Sequence, residues 1–147
     1  MSNTLAQHLE AAATAALAAT GTGSFLYQSA EQVELSAQDH PTPLIVCYDF
    51  TTAQALASSR TESAALTLYF ADTRPGASDG DTAHHAAVAR MEQLKRRFLA
   101  ALDAHPLAQV EGIRATPFSS YTSSGLDGVG CQFTLTVPAA SLVAACL

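Results

Sequence analysis

The stretch SDGDTAHH contains the residue types that could bind a transition metal. Asp79, Asp81, His84 and His85 lie close together in it, and imidazole and carboxylate groups are common ligands of such ions. However, the two histidines are adjacent on a predicted helix, so their side chains point about 100° apart and cannot easily share one ion. We therefore interpret the stretch as a helix cap followed by exposed histidines, and we expect no metal or other cofactor.

Cysteine chemistry is the next candidate, because Cys47 could pair with His40 or His105. A reactive thiolate needs a polar and accessible setting, whereas Cys47 lies inside the apolar run LIVCYDF. Cys131 occupies a similar pattern, and we read both as inert core residues. The three cysteines, including Cys146, have neither disulfide nor zinc-site spacing. Serines are plentiful, but none follows the strand–turn–helix pattern of a nucleophile. We expect no enzyme.

The glycine-rich segment GLDGVG, residues 125–130, could in principle cradle a phosphate. Such a cradle requires a helix to follow, so that the helix N-terminus faces the anion. A strand pattern follows here instead. The segment is therefore predicted to be a hairpin turn, in which glycine supplies the positive φ angles.

The composition limits the class of protein. The length of 147 residues favours one domain, 1–147, and 48% hydrophobic with 14% charged residues is typical of a folded chain. Thirteen acidic and seven basic residues give a net charge of −6, which argues against a general nucleic-acid binder. No apolar stretch is long enough to span a membrane. No basic residue precedes the alanine-rich N-terminal segment, which predicts a helix of a non-exported protein.

Hydrophobic periodicity predicts the elements of the first half. Its expected elements are a helix over 4–20, a strand over 25–37 with one solvent-exposed face, a central strand over 43–50 covered on both faces, a hairpin connection over 51–64 and a strand over 65–72. A short helical turn at 52–58 is the alternative for part of the connection. Leu66, Leu68 and Phe70 should share one face of the last strand.

In the second half, Asp81 or Thr82 can cap a helix that runs to about residue 104. Strands follow over 109–118 and 129–137, and the second alternates clearly between apolar and polar residues. The order is α-β-β-β-α-β-β. Short links favour antiparallel neighbours, so we predict an α+β fold with a mainly antiparallel sheet and two helices.

The second helix carries four of the seven basic residues: Arg90, Lys95, Arg96 and Arg97. On a helical wheel they surround the polar side of an apolar face made by Val88, Met91, Leu94, Phe98, Ala101 and Leu102. Glu92 precedes Arg96 by four residues, the favourable order for an ion pair. The cations are interpreted either as a solvated face or as a contact for an acidic neighbour, which could be another copy of this chain.

Three apolar residues lie in or beside the predicted loop SSYTSSGLDG: Phe118, Tyr121 and Leu126. Exposed apolar groups at a hairpin tip can anchor assembly. Alternatively, these side chains fold back on their own sheet. Together with the four basic residues they are the candidate subunit-interface residues.

The order of elements resembles that of phage tail-terminator, tail-completion and neck proteins. The parts that carry the likeness are the opening helix, PLIVCYDF, TTAQALASSRTESA, MEQLKRRFLAALDAHP and the late segment VEGIRATPFSSYTSSGLDGVGCQFTLTVPA. The resemblance implies a structural virion protein, made in the bacterial cytoplasm, whose copies close into a ring, commonly a hexamer. It implies contacts with tail-tube or neck proteins, and a lumen that lets DNA pass without sequence-specific binding. The alternative is a small soluble intracellular protein-binding module.

Overall fold

A computed structural model describes residues 3–27, 41–54, 61–73, 81–106, 108–118 and 126–138. Within these ranges the elements are α1 (Asn3–Ala18), β1 (Ser24–Tyr27), β2 (Leu44–Gln54), β3 (Thr61–Thr73), α2 (Asp81–Asp103), β4 (Gln109–Phe118) and β5 (Leu126–Pro138). The predicted α+β class and the order α-β-β-β-α-β-β are therefore confirmed.

The strands form one mixed sheet in the order β1-β2-β3-β5-β4. All neighbours pair antiparallel except β1 and β2, which are parallel. Our expectation of antiparallel neighbours is therefore wrong at that one pair. A parallel pair needs a connection that returns the chain to the same end of the sheet, and residues 28–43 are long enough for this.

Both helices pack against the same side of the sheet, which we call the inner face. Alternate residues of each strand point into this core, which buries the predicted apolar sets of β3 and β5. Phe98 of α2 meets Phe70 of β3 edge to face, with ring centroids 5.5 Å apart. Nothing helical in the described ranges is long and apolar enough to cross a membrane. The largest buried contributors to this core are Leu5, Leu9, Ile45, Leu68, Phe70, Leu94, Phe98, Leu102 and Leu135.

The opposite side of the sheet, the outer face, has a small buried cluster of its own. Leu44 and Val46 of β2 pack there with Ala71 of β3 and Leu126 of β5. Because Ile45 and Cys47 face the helices, β2 is buried on both faces over this stretch. Over residues 44–47 this arrangement confirms the doubly covered strand predicted from the apolar run, whereas the side chains of residues 48–50 are not described.

The predicted hairpin connection over 51–64 is too long. β2 continues to Gln54 and β3 begins at Thr61, with Thr51 opposite Ala65 and Gln54 opposite Glu62. The alternative helical turn is wrong at 52–54, and its remaining residues lie outside the described ranges. Cross-strand pairing thus extends the strand through residues whose local sequence favours a loop.

The hairpin turn predicted at GLDGVG is also wrong over its described part, because residues 126–130 form the first half of β5. Gly128 lies opposite Ala71 of β3 and Phe118 of β4. A Cβ atom at this position would collide with the main-chain carbonyl oxygen of Phe70. Glycine is required here by the close approach of a neighbouring strand, not by a turn.

Candidate functional site

The four basic residues of α2 do not form one free surface. Arg90 Nη2 lies 3.7 Å from Oδ2 of Asp72, on β3. Arg96 is well exposed and lies 3.5 Å from the carboxylate of Glu92, as the spacing predicts. Arg97 is exposed, and no described carboxylate lies within ion-pair distance of it. Arg96 and Arg97 are therefore the cations that α2 presents most openly.

Lys95 differs from its neighbours because it is largely buried, with 8% of its surface exposed. Its Nζ donates a hydrogen bond to Oε1 of Glu92, 2.6 Å away. The helical wheel placed Lys95 at the edge of the core face, and the structure draws it further into the helix–sheet contact. Lys95 is thus committed to an internal pair and offers little to a partner.

The three apolar loop candidates have different outcomes. Leu126 is 0% exposed and belongs to the outer-face cluster, so it is part of this chain's own core and not an accessible anchor. Its burial follows from the extension of β5, which places it beside Leu44 and Val46. Phe118 is the last residue of β4 and its side chain is not described, and Tyr121 lies outside the described residues.

Two neighbouring acidic residues connect α2 to the end of the sheet. Asp72 and Asp127 are directly opposite each other on β3 and β5, and the side chain of Asp127 is wholly buried. His84 Nδ1 lies 3.3 Å from Oδ1 of Asp127, while Arg90 lies near Asp72. The side of α2 that carries His84 and Arg90 therefore faces two neighbouring carboxylates, of which that of Asp127 is wholly buried and that of Asp72 is partly exposed.

The histidines and aspartates of SDGDTAHH are separated by this arrangement. His84 turns toward Asp127, whereas His85 is exposed. The side chain of Asp81 is not described, and Asp79 lies outside the described residues. Among the side chains that are described, no three histidine, cysteine or acidic groups come together to hold a metal ion.

The two described cysteines are free thiols inside the core. Burial raises the pKa of the Cys131 thiol, and the nearby Lys95 only partly offsets this effect. A raised pKa keeps the thiol protonated and weakly nucleophilic at neutral pH. This setting agrees with the reading of Cys131 as a packing residue.

The outer face of β3, β5 and β4 is accessible, and neither of the described helices packs against it. The register places three rows of side chains across these strands: Ala65, Thr134 and Glu111; Thr67, Gln132 and Arg114; Tyr69, Gly130 and Thr116. These side chains are mostly small and polar, and they are exposed or half-buried. A second, shorter strip of this face is the buried cluster around Leu126.

A bulge in β4 determines which of its side chains lie on the outer face. Glu111 is opposite Thr134 and Arg114 is opposite Gln132, so Gly112 and Ile113 share one position of the ladder. Gly112 has a φ of 66°, which glycine adopts without strain. Because of the extra residue, Glu111 and Arg114 lie on the same face, although an unbroken strand would place them on opposite faces. Ile113 is left 50% exposed.

The middle rows form a shallow groove of about 320 Å³, lined by Thr67, Tyr69, Arg114, Thr116, Gly130, Cys131 and Gln132. Gly130 keeps its floor open, since a Cβ there would lie 3.0 Å from Cε1 of Tyr69. The groove combines one guanidinium with hydroxyl and amide groups. This set of donors suits hydrogen bonding to an oxygen-rich or anionic group.

The chain matches no protein-family model and no curated protein. Small side chains, a flat strand surface and an open edge suit contact with another protein more than the enclosure of a substrate.

Two features of the structure, one on each face of the sheet, are absent from the predictions made from the sequence. Continuing the alternation of β5 back by two residues from Val129 would have placed Asp127 on the inner face, opposite the end of β3. The grouping of Arg114 with Gln132 and Thr67 depends on the strand order and on the bulge at Gly112. A glycine inside a strand pattern is the signal that could have suggested the bulge.

Proposed function

We propose that this protein is a non-catalytic structural subunit of a phage or phage-like particle, one that assembles into a ring as a tail terminator, tail-completion or neck component. The observation that carries the proposal is the accessible outer face of β3, β5 and β4, which neither described helix covers and which ends in the exposed strand β4. The resemblance in element order supplies the particular class. The uncovered face supports assembly because strand surfaces and edges readily pair with other chains.

A ring requires two different surfaces on each subunit, because head-to-tail contacts close only when unlike surfaces meet. The two-layer fold provides them on opposite sides. The helix layer presents Arg96 and Arg97, and the sheet layer presents the outer face with Glu111. The outer face also carries Arg114, whereas Arg96 and Arg97 make the helix layer locally cationic, and this difference in charge between the two layers favours one orientation of neighbouring copies over the reverse.

The remaining parts of the proposal follow from the overall charge and the class. A ring of copies with a net charge of −6 each repels the phosphate backbone, so DNA can pass through the lumen without being held. The expected partners are other copies, in a ring that is commonly a hexamer, and tail-tube or neck proteins. The expected location is the phage tail or neck, after synthesis in the bacterial cytoplasm.

Mass measurement in solution tests the proposal. Sedimentation velocity and native mass spectrometry, with and without purified tail tubes, should find one defined multiple of the subunit mass. Negative-stain images of that species should show closed rings. A chain that stays monomeric over the full concentration range, and ignores tail tubes, would contradict the proposal.

Charge reversal on α2 tests the polarity of the contact. The double variant Arg96→Glu, Arg97→Glu should weaken assembly and change its dependence on salt, since salt screens exposed charges. Gln93→Glu adds negative charge to an exposed position of the same helix and serves as the matched control. If the double variant assembles as well as Gln93→Glu, Arg96 and Arg97 are solvated residues and do not contact a neighbouring copy.

The alternative function is a small soluble intracellular protein-binding module, and the edge strand β4 is the observation that favours it. An extended peptide can add to such an edge through main-chain hydrogen bonds. This reading predicts a monomer that binds a peptide strand, and the same sedimentation experiment separates it from a ring.

A further inference from the structure

Arg114 differs in one respect from most of the other cations whose surroundings are described. Arg90, Lys95 and Arg96 each lie within ion-pair distance of a carboxylate of the same chain. Arg114 is exposed and has no such carboxylate among the described residues, although acidic residues outnumber basic ones by 13 to 7. Glu111 lies one row away on the same face, but not within ion-pair distance.

The surroundings of Arg114 suit a carboxylate that arrives from outside. A guanidinium is planar and can donate two parallel hydrogen bonds to one carboxylate. Gln132 is directly opposite Arg114 on β5, and Thr67 is opposite Gln132 on β3, so amide and hydroxyl donors continue the row. Thr116 and Gly130 border the same groove, whose low floor lets a side chain from a facing surface reach the row.

We propose that this groove accepts a carboxylate side chain from a second copy of the chain, with Arg114 as its two-pronged donor and Gln132 and Thr67 as supporting donors. The inference rests on the proposed self-assembly and names one contact within it. Charge complementarity selects the occupant, because the surface of an acidic chain offers many carboxylates and Arg114 stands in a largely uncharged row.

The bulge in β4 has a specific part in this contact. Without the extra residue at Gly112 and Ile113, Arg114 would point toward the helix side of the sheet and away from the groove. Ala115, the next residue, does point that way, since it is opposite Cys131, a residue of the inner core. Arg114 and Ala115 are therefore adjacent, both exposed, and on opposite faces of one strand.

This pair supplies a sharp experiment. Sedimentation velocity over a concentration series compares the wild type with Arg114→Glu, Arg114→Gln and Ala115→Glu. We expect Arg114→Glu to weaken association by at least about tenfold, or about 1.4 kcal/mol, and Arg114→Gln to weaken it less. Ala115→Glu adds negative charge one residue away but outside the groove, so it should assemble like the wild type. Urea midpoints of the monomers check that all variants fold.

The outcomes separate this inference from the proposal on which it rests. If the wild type assembles and Arg114→Glu assembles equally well, the carboxylate contact is refuted and self-assembly stands. If Ala115→Glu impairs assembly as much as Arg114→Glu, general charge repulsion explains both, and the groove has no special role. A wild type that never associates refutes both ideas. A monomer that instead binds an acidic peptide through Arg114 would also overturn the second-copy assignment.

Discussion

The substitution Leu126→Ala tests whether Leu126 is a core residue or a surface anchor. The sequence leaves Leu126 either as a surface anchor or as a side chain folded back on its own sheet, and the structure buries it completely beside Leu44, Val46 and Ala71. Substitution by alanine removes the favourable burial of the side chain and leaves a cavity, which together typically cost about 2–5 kcal/mol. We expect a loss near the middle of that range, about 3 kcal/mol, because the side chain is fully buried but its cluster is small.

Urea unfolding measures this loss. With a slope of about 1–3 kcal/mol per molar urea, Leu126→Ala should lower the midpoint by about 1 M or more. The measurement is made at a concentration at which the wild type is monomeric, because association adds apparent stability. Ile113→Ala is the matched control: Ile113 is half-exposed, so its midpoint should change little.

The refuting result is the reverse pattern. If Leu126→Ala keeps the wild-type midpoint but loses assembly, Leu126 is an interface residue and its burial within the chain is wrong. If Ile113→Ala unfolds as easily as Leu126→Ala, the exposed position of Ile113 at the bulge is wrong.

Three further predictions concern groups inside the chain. His84→Ala should lower the unfolding free energy by about 0.5–1.5 kcal/mol in urea titration, because it removes one contact of the buried Asp127 carboxylate; an unchanged value contradicts a stabilising contact. Burial, with a smaller contribution from His105, lowers the pKa of His8 in the folded chain. His8 therefore binds a proton more readily in the unfolded chain than in the folded chain. Stability should therefore fall as pH drops below about 6.5, and His8→Gln should reduce this fall in melting curves at pH 7.5 and 5.5; equal slopes contradict it. Gly128→Ala should destabilise by more than about 2 kcal/mol, because its Cβ meets the β3 backbone, and a wild-type urea midpoint would disprove that close approach.

The sequence predicts those parts of the fold in which local pattern and burial agree. β5 alternates from Cys131 to Val137 as expected, and the core face of α2 buries Met91, Leu94 and Phe98. The burial of each of these residues can be predicted from the hydrophobic periodicity of the helix or strand to which it belongs. The predicted boundaries of β4, 109–118, also agree with Gln109–Phe118.

The failures occur where distant residues decide the conformation. Ala53 and Gln54 have little intrinsic preference for a strand, yet they extend β2 because they pair with Ser63 and Glu62. The local sequence around Gly128 suggests a turn. Glycine is needed at this position for a different reason, because the backbone of β3 leaves no room for a Cβ atom. Such effects depend on strand order, which the local pattern of one sequence does not reveal.

The same limit applies to the candidate surface. The basic residues of α2 were found from composition, but only the contacts show that Lys95 is buried with Glu92 and that Arg90 turns to Asp72. Arg114 was overlooked because nothing in its local sequence marks it. Only the strand order and register show that no described carboxylate lies within ion-pair distance of Arg114.

The position of β5 affects how the chain can fold during synthesis. Of the described strands β5 is the last to be synthesised, yet it lies between β3 and β4 and pairs with both. Until it emerges, the main-chain donors and acceptors along that side of β3 have no strand partner, and β4 has no place in the sheet. Neighbouring nascent chains on one messenger RNA can therefore associate through the unpaired side of β3 before folding is complete. Rapid insertion of the β4–β5 hairpin is the step that ends this vulnerable period.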